Sequence, residues 1–592
     1  MLGSLRFLNL LSTFHTNYGT MIRPVLVLLT MSTLLACHSS RKAAAPHPID
    51  PYHYSIEKTV TGNKGAVVSA HPLASEAGVL VLKKGGNAVD AAIATQLALA
   101  VVYPGAGNLG GGGFLVAHLQ NGKELAIDYR EMAPSGSSRD MYIDKDGKAR
   151  TDLSQDGHLA SGVPGTVAGL FEAARYSKLS FKELIDPAIE LAEKGFVITE
   201  REARSLNGIQ QDLQQFNTRP NAFQKKDKWK AGDTLIQKDL AATLRRIREK
   251  GAAGFYEGET ARLIVEEMQR GKGIISYTDL KNYVARSRQP HRFDYKGYAV
   301  VSMPMPSSGG LLLHQMLKMI EGKDIAAMGF HSPQAVQLMI EAERRAYADR
   351  AEYMGDMDFY KVPVAALTDK KYIADRMKDF TPGKASDSKI IGPGKAAAKE
   401  SEETTHLSVI DGDGNAVAVT TTLNGGYGSR VVVGGAGFFL NNEMDDFSIK
   451  PGVPNMYGAV GGEANAIAPG KRMLSSMTPT IVLQNGKPYI VTGTPGGTTI
   501  PTSVFQTIVN ILDFGLSAKD AVDKAKFHHQ WLPDAVFVEK DFPAATQEAL
   551  RKMGYKIDSR GDIGRVELIR VLPDGKFEAV ADKRGDDSAS GW

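Results

Sequence analysis

The 592-residue chain is 43% hydrophobic and 23% charged, enough apolar content for large buried cores and too little charge for a disordered polyelectrolyte. Its 70 Lys+Arg against 66 Asp+Glu leave a net charge of +4, so no polybasic field argues for nucleic acid. A single cysteine excludes an intramolecular disulfide framework and any zinc site built on several thiolates.

That cysteine, Cys37, follows the apolar stretch Val25–Leu35, which has Arg23 before it and the polar run His38–Lys42 behind it. A basic flank, a short apolar core and the small Ala36 make a secretory signal; a membrane span takes about 20 apolar residues. Leu34-Leu35-Ala36-Cys37 resembles a bacterial lipoprotein processing box, in which the cysteine becomes the lipidated first residue of the mature chain. Residues 1–36 are therefore read as a signal peptide, starting at Met1 or Met21, and residues 37–64 as a tether that includes the Ala- and Pro-rich run 41–51. Removing 1–36 takes away Arg6 and Arg23 and no acid, so the mature chain is close to neutral. The expected location is the periplasm or cell envelope, touching membrane only through the lipid.

Beyond the tether, Val67–Ala70 is a strand candidate, and Ser75–Lys84 carries helical spacing until Gly85-Gly86 stops it. Asn87 caps a second helix, Ala88–Val102, which Pro104 ends. Gly105-Ala106-Gly107-Asn108-Leu109-Gly110 matches the dinucleotide fingerprint, with Asp128 near the distance expected for a ribose ligand. The fingerprint works only after a strand and into a helix. Here it follows a helix and leads into the strand candidate Phe114–Leu119, so it reads as a loop needing close backbone approach and positive φ. Helices are predicted at Leu184–Lys194, Leu240–Lys250, Thr260–Arg270 and Ser332–Tyr353. Pro382–Glu403 has no apolar periodicity and reads as an exposed junction. From Thr404 onward, short β-rich runs alternate with glycine-rich turns, and helices return at Val504–Phe514 and Ala518–Lys526. His528-His529 are adjacent, so they do not share a face and read as structural rather than metal-binding.

The chemical signal begins after the junction. Thr404–Ile410 and Ala416–Leu423 are strand candidates joined by Asp411–Asn415, a DGDGN turn, and so form a hairpin. If the turn centres on Asp413, Ile410 faces Ala416, His406 faces Thr420 and Thr404 faces Thr422. Two threonine hydroxyls then meet at the open end. A two-residue turn at Asp413-Gly414 would shift every partner by one and break that pairing.

Ten segments in order then resemble one family. They are GGNAVDAA (Gly85–Ala92), GNLGGGGF (Gly107–Phe114), DYRE (Asp128–Glu131), PMPSSGG (Pro304–Gly310), TTHLSV (Thr404–Val409), NNEMDDF (Asn441–Phe447), KPGVPNMYG (Lys450–Gly458), LSSMTPT (Leu474–Thr480), GTPGG (Gly493–Gly497) and FHHQWLPD (Phe527–Asp534). From about Gly65 to Val580 the chain resembles the γ-glutamyltranspeptidases, also called glutathione hydrolases, of the N-terminal nucleophile hydrolase superfamily. The resemblance implies an α+β fold, a four-layer αββα sandwich built jointly by two processed subunits. It implies self-cleavage between Glu403 and Thr404 into a large subunit, 65–403 with its tether, and a small catalytic subunit, 404–592, which stay together as a heterodimer.

A free hydroxyl is a weak nucleophile at neutral pH, but an α-amino group titrates near pH ~8 and can serve as its base. Cleavage creates that base on Thr404, and Thr422 fits as a hydroxyl that orients it. The family further implies oxyanion donors at the backbone of Gly496 and Gly497. It implies a grip on the substrate α-carboxylate by Arg130, Ser475 and Ser476, and reception of its α-ammonium by Asn424, Glu443 and Asp446. Pro451–Gly458, with Tyr457, resembles a lid over the donor site. Thr498-Thr499 and Gly425-Gly426 stand where relatives vary and bear on the acceptor side. The substrates implied are glutathione and other γ-glutamyl compounds, with water, an amino acid or a dipeptide as acceptor; no cofactor, metal or nucleic acid is implied. The alternative enzyme is a glutaryl or cephalosporin-type acylase of the same superfamily, which makes no demand for an α-amino group. The non-enzymatic alternative is a tethered binding protein.

Overall fold

The computed structural model describes residues 49–392, 404–450 and 462–592. Cys37, Glu403 and Tyr457, together with the signal peptide and the lid segment Pro451–Gly458, lie outside the described residues.

Two seven-stranded sheets, antiparallel throughout, form the centre. The first runs Thr59–Gly62, Phe577–Ala581, Glu567–Val571, Lys487–Gly493, Thr480–Gln484, Tyr298–Ser302 and His291–Tyr295 from edge to edge. The second runs Ser588–Gly591, Gly65–Ser69, Thr405–Asp411, Ala416–Thr422, Gly112–His118, Glu124–Asp128 and Arg286–Arg288. Strand periodicity sorts the second sheet's side chains onto two faces. Val67, Leu407, Val409, Val417 and Val419 bury against the helices Pro72–Lys83 and Ala88–Val102. Val68, Ile410, Ala416 and Ala418 bury against Ile481, Val491 and Ile569 of the first sheet. The far face of the first sheet packs on Gly309–Glu321, Thr499–Leu512 and Ala518–Asp523, and Pro333–Tyr353 packs in turn on Gly309–Glu321. Helix, sheet, sheet, helix is the four-layer αββα order expected, and each sheet mixes strands from before and after residue 404.

Local chemistry explains the element ends. Asn87 caps Ala88–Val102 in a reciprocal box with Asp90. Ser180 and Glu183 form the same box, so that helix starts at Phe181, three residues before the apolar spacing begins. Ser332 caps Pro333–Tyr353, with proline at its favoured first position. In the C-terminal part, Thr499–Leu512 begins five residues before the predicted Val504. Its first turn is rich in β-branched residues and holds Pro501, which disguise it in sequence. Proline is tolerated there because a first-turn N–H has no intrahelical partner.

The hairpin has the three-residue-turn register: Ile410 pairs with Ala416, His406 with Thr420 and Thr405 with Thr421. Asp411 closes the turn, its Oδ1 accepting from the N–H groups of Asp413 at 2.9 Å and Asn415 at 3.0 Å, and Gly414 supplies the left-handed residue at φ +89°. In the glycine-rich loop the positive φ values fall on Asn108 and Leu109 instead of the glycines of the fingerprint. The glycines serve close approach: a Cβ on Gly107, Gly110 or Gly111 would run into the carbonyls of Leu99, Phe439 and Thr422.

Where the sheets face each other, His406 donates or accepts at Thr420 Oγ1 (2.9 Å) and Ser408 Oγ (3.1 Å). Burial pushes its imidazole down to about 3, so it is neutral. Gly493 of the opposing sheet gives this ring its space, since a Cβ there would collide with it. Gly493→Ala is expected to destabilise the fold by about 1–3 kcal/mol, read as a lower Tm by calorimetry.

Candidate active site

The register places Thr404 one residue beyond the Thr405–Thr421 pair, at the open end of the hairpin with Thr422. Both threonines line one narrow cleft together with Arg130, Asn424, Glu443 and Asp446. Ser475, Ser476 and Gly497 line it too, and Gly496 stands one residue behind on the same loop. Met477 and Ile500 add apolar wall that sequence reasoning did not single out. The segments are far apart in the chain, and the hairpin, the glycine loop and the ends of the strands bring them together.

Asn424 adopts φ +70°, which turns the chain sharply after the hairpin. Its N–H donates to Thr422 Oγ1 at 2.7 Å and its side-chain amide to the Asn442 carbonyl at 3.0 Å. A threonine oxygen that accepts there keeps its own proton to donate, the role expected of Thr422 toward Thr404. The Asn442 link also ties the hairpin to the short 3₁₀ turn Glu443–Asp446.

Arg130 follows the strand Glu124–Asp128 and is fully buried. Its guanidinium bonds Glu443 Oε1 and Asp446 Oδ2, and donates to the carbonyls of Met473 at 3.2 Å and Leu474 at 3.1 Å. The cation and the acids expected to hold opposite ends of a substrate thus hold each other, because buried charge is costly unless paired. Burial works against the Arg130 charge, but Glu443 and Asp446 win and hold its pKa above the usual arginine value. Burial likewise pushes Glu443 well up and Glu131 to about 7, against the pull of Arg130. Asp128 steadies this arginine from behind, accepting its N–H at 3.0 Å, and Tyr283 donates to its carbonyl at 2.7 Å.

On the opposite wall, strand Lys487–Gly493 ends in a loop whose Gly496 (φ +133°) and Gly497 (φ +56°) lead into helix Thr499–Leu512. Consecutive positive-φ glycines thus stand just before the N-terminus of a 14-residue helix, the end whose dipole favours negative charge. That is the arrangement a developing oxyanion needs. The helix N-terminus was not read from sequence; the glycine pair directly before an apolar run was the signal available.

A larger cavity, of about 200 Å³, opens between Tyr103, Phe196, Leu206, Tyr427 and Arg565. Its charges are committed to acids beside them, Arg565 to Asp587 at 3.3 Å and Arg201 to Asp586 at 3.9 Å. Of these two, the smaller cleft brings together two threonine hydroxyls, a cation, acids and a glycine loop at a helix N-terminus. His528 and His529 lie elsewhere: His528 bonds Thr502 and Gln530, and His529 bonds Asp534. Among the described residues no group of three His, Cys, Asp or Glu side chains could hold a metal ion, and no helix is long and apolar enough to cross a membrane.

The sequence profile of the family described as Gamma-glutamyltranspeptidase matches residues 74–592. The chain is 46% identical over 580 residues to a protein of Escherichia coli (strain K12) described as glutathione hydrolase proenzyme, covering 97% of this chain and 100% of that one. Among solved structures, a cephalosporin acylase from Bacillus halodurans superposes with a TM-score of 0.80 at 28% identity, covering 91% of this chain and 98% of that one. A γ-glutamyltranspeptidase from Helicobacter pylori superposes with a TM-score of 0.54 at 43% identity, covering 59% of this chain and 97% of that one. Ordered motifs, converging site and extended likeness agree, and the chain belongs to the γ-glutamyltranspeptidase family.

Proposed function

We propose that this protein is a γ-glutamyltransferase and glutathione hydrolase that first cuts itself between Glu403 and Thr404. One observation carries the reading: nine residues from widely separated segments, each at a position the family uses, line a single cleft. In the precursor, Thr404 Oγ attacks the Glu403 carbonyl, the peptide C–N bond breaks, and water hydrolyses the resulting ester. Residues 37–403 and 404–592 then remain as large and small subunits.

In the processed enzyme the Thr404 α-amine takes the hydroxyl proton while Oγ bonds the γ-carbonyl carbon of the donor. Negative charge gathers on that carbonyl oxygen, against the Gly496 and Gly497 N–H groups. As the intermediate collapses, the amide C–N bond breaks and the proton passes to the departing amine. Water or the amine of an amino acid or dipeptide then takes the γ-glutamyl group from Thr404. A γ-glutamyl group carries both an α-carboxylate and an α-ammonium. On binding, it exchanges the internal pairing for its own: Arg130, Ser475 and Ser476 with the carboxylate, Asn424, Glu443 and Asp446 with the ammonium.

The likeness to an acylase structure favours a second reading, a glutaryl-type acylase. Two acids beside Arg130 support the γ-glutamyl reading instead, since a glutaryl group has no ammonium to offer them. Purified processed protein is expected to release p-nitroaniline from the γ-glutamyl anilide faster with a dipeptide acceptor, and only slowly from the glutaryl anilide. Comparable rates on both would favour the acylase. Thr404→Ala is expected to run as one band on a denaturing gel and to release nothing; two bands would sink the assignment of the cut.

Gly496→Ala places a Cβ 2.5 Å from Thr499 Oγ1 at a φ of +133°. The strained loop should lower kcat by about 10²–10³ while changing KM less, as for loss of one oxyanion donor. Export and anchoring through Cys37 complete the reading. Palmitate labelling of the wild type, lost in Cys37→Ser with release of activity to the soluble fraction, is the expected result.

A further inference from the structure

We propose that Arg350 is a positioning residue for donor recognition, holding the Ser476 hydroxyl so that it donates into the cleft. The inference rests on the γ-glutamyl reading above and adds a residue that does not itself line the cleft.

Arg350 lies near the C-terminal end of the helix Pro333–Tyr353 and is fully buried. Its Nε donates to Ser308 Oγ at 2.7 Å and its Nη2 to Ser476 Oγ at 3.3 Å. A guanidinium only donates, so a serine oxygen that accepts from it retains its own proton to donate elsewhere. Ser308 directs that proton to the Ser475 carbonyl at 2.8 Å, which also receives the Ser308 N–H at 2.7 Å. Arg350 therefore grips the Ser475-Ser476 run twice, through Ser308 at the first residue and directly at the second. With its oxygen held by a cation behind it, the Ser476 hydroxyl is a polarised donor suited to the α-carboxylate.

The same helix reaches the other wall. One turn earlier, the Tyr347 hydroxyl donates to the carbonyl of Thr498, directly after the oxyanion glycines. Positions i and i+3 share a helix face, so one face braces both the carboxylate loop and the oxyanion loop. Burial lowers the Arg350 guanidinium to about 10, with Tyr347 and Asp446 opposing that fall and Arg130 adding to it. It stays charged at neutral pH.

A role in packing alone would weaken all substrates equally; positioning Ser476 for a carboxylate would not. The test compares the γ-glutamyl anilide with the 4-aminobutanoyl anilide, the same donor without the α-carboxylate, on processed heterodimer. In Arg350→Met, KM for the γ-glutamyl anilide should rise about 10- to 100-fold, as for a lost hydrogen bond involving charge, with kcat within about threefold. The kcat/KM on the 4-aminobutanoyl anilide should stay within about twofold, and Arg350→Met should add less than about twofold to the KM of Ser476→Ala. Arg350→Lys keeps the charge but cannot span both hydroxyls. It should fall between wild type and Arg350→Met, and it carries the same two-donor comparison if Arg350→Met does not process. Equal losses on both donors, or fully multiplicative effects of Arg350→Met and Ser476→Ala, would overturn the inference. A wild type inactive on the γ-glutamyl anilide would overturn the functional reading and this inference with it. An active wild type matched by its Arg350 variants would overturn the inference alone.

Discussion

Pairing on both sides of Thr405–Asp411 is the constraint on which the rest of the site depends. The proposed chemistry asks Thr404 to be a chain end and also an atom fixed to a fraction of an ångström, and chain ends ordinarily fray. Directly after it, Thr405 and His406 pair with Thr421 and Thr420, and from Leu407 onward Gly65–Ser69 holds the strand's other side. A slip of one residue would send every side chain of the strand to the opposite face and separate the two threonines. The glycine loop follows from the same constraint. Gly112–His118 can lie against the hairpin only because Gly111 and Gly113 have no Cβ to meet the carbonyls of Thr422 and Thr420. A run that imitates a nucleotide-binding fingerprint is thus part of the scaffold that aims the nucleophile.

Charge in the cleft is arranged by pairing instead of by field. Arg130 is buried between Glu443 and Asp446, and Asp128 behind it also meets Arg288 at 2.8 Å and Arg472 at 3.4 Å. Such a cluster gives little net stability, because desolvation consumes most of the Coulomb gain. It does prepare a location where opposite charges lie side by side at low dielectric. A zwitterion fits by replacing one set of pairs with another, whereas a group carrying a single charge would leave a buried partner uncompensated. On the proposed reading, a chain with almost no overall electrostatic signature discriminates on charge locally, within one cleft.

How much of this was legible in the sequence depended on whether the cause was local. Ala88–Val102 was bounded correctly because its cap and its terminator are neighbours in the chain. The hairpin was legible from turn chemistry at Asp411–Asn415, which left two registers open, and the fold takes the one centred on Asp413. The start of Thr499–Leu512 was missed because local propensity opposes it there and tertiary burial decides. That missed turn aims the helix dipole at the cleft, so the local conflict marks function. Arg350 was invisible for a different reason. An arginine in an amphipathic-looking helix reads as solvated surface, and only the fold shows that PMPSSGG and LSSMTPT meet at its guanidinium. The motifs were visible; what joins them was not.

The topology also sets the order of events. In the second sheet, strands 65–69, 112–118, 124–128 and 286–288 come from one side of the proposed cut, and 405–411, 416–422 and 588–591 from the other. The first sheet is likewise shared. Neither piece alone could complete either sheet, and each would expose unpaired strand edges and half of a buried core. The chain must therefore fold as one before it is cut, because the hairpin that carries Thr404 and Thr422 is fixed in place by Gly65–Ser69 and Gly112–His118 from the other side of the cut. Once cut, the pieces are held by the same ladders that positioned the nucleophile. Cleavage then removes one covalent bond and adds one amine, and the geometry it needs is already in place.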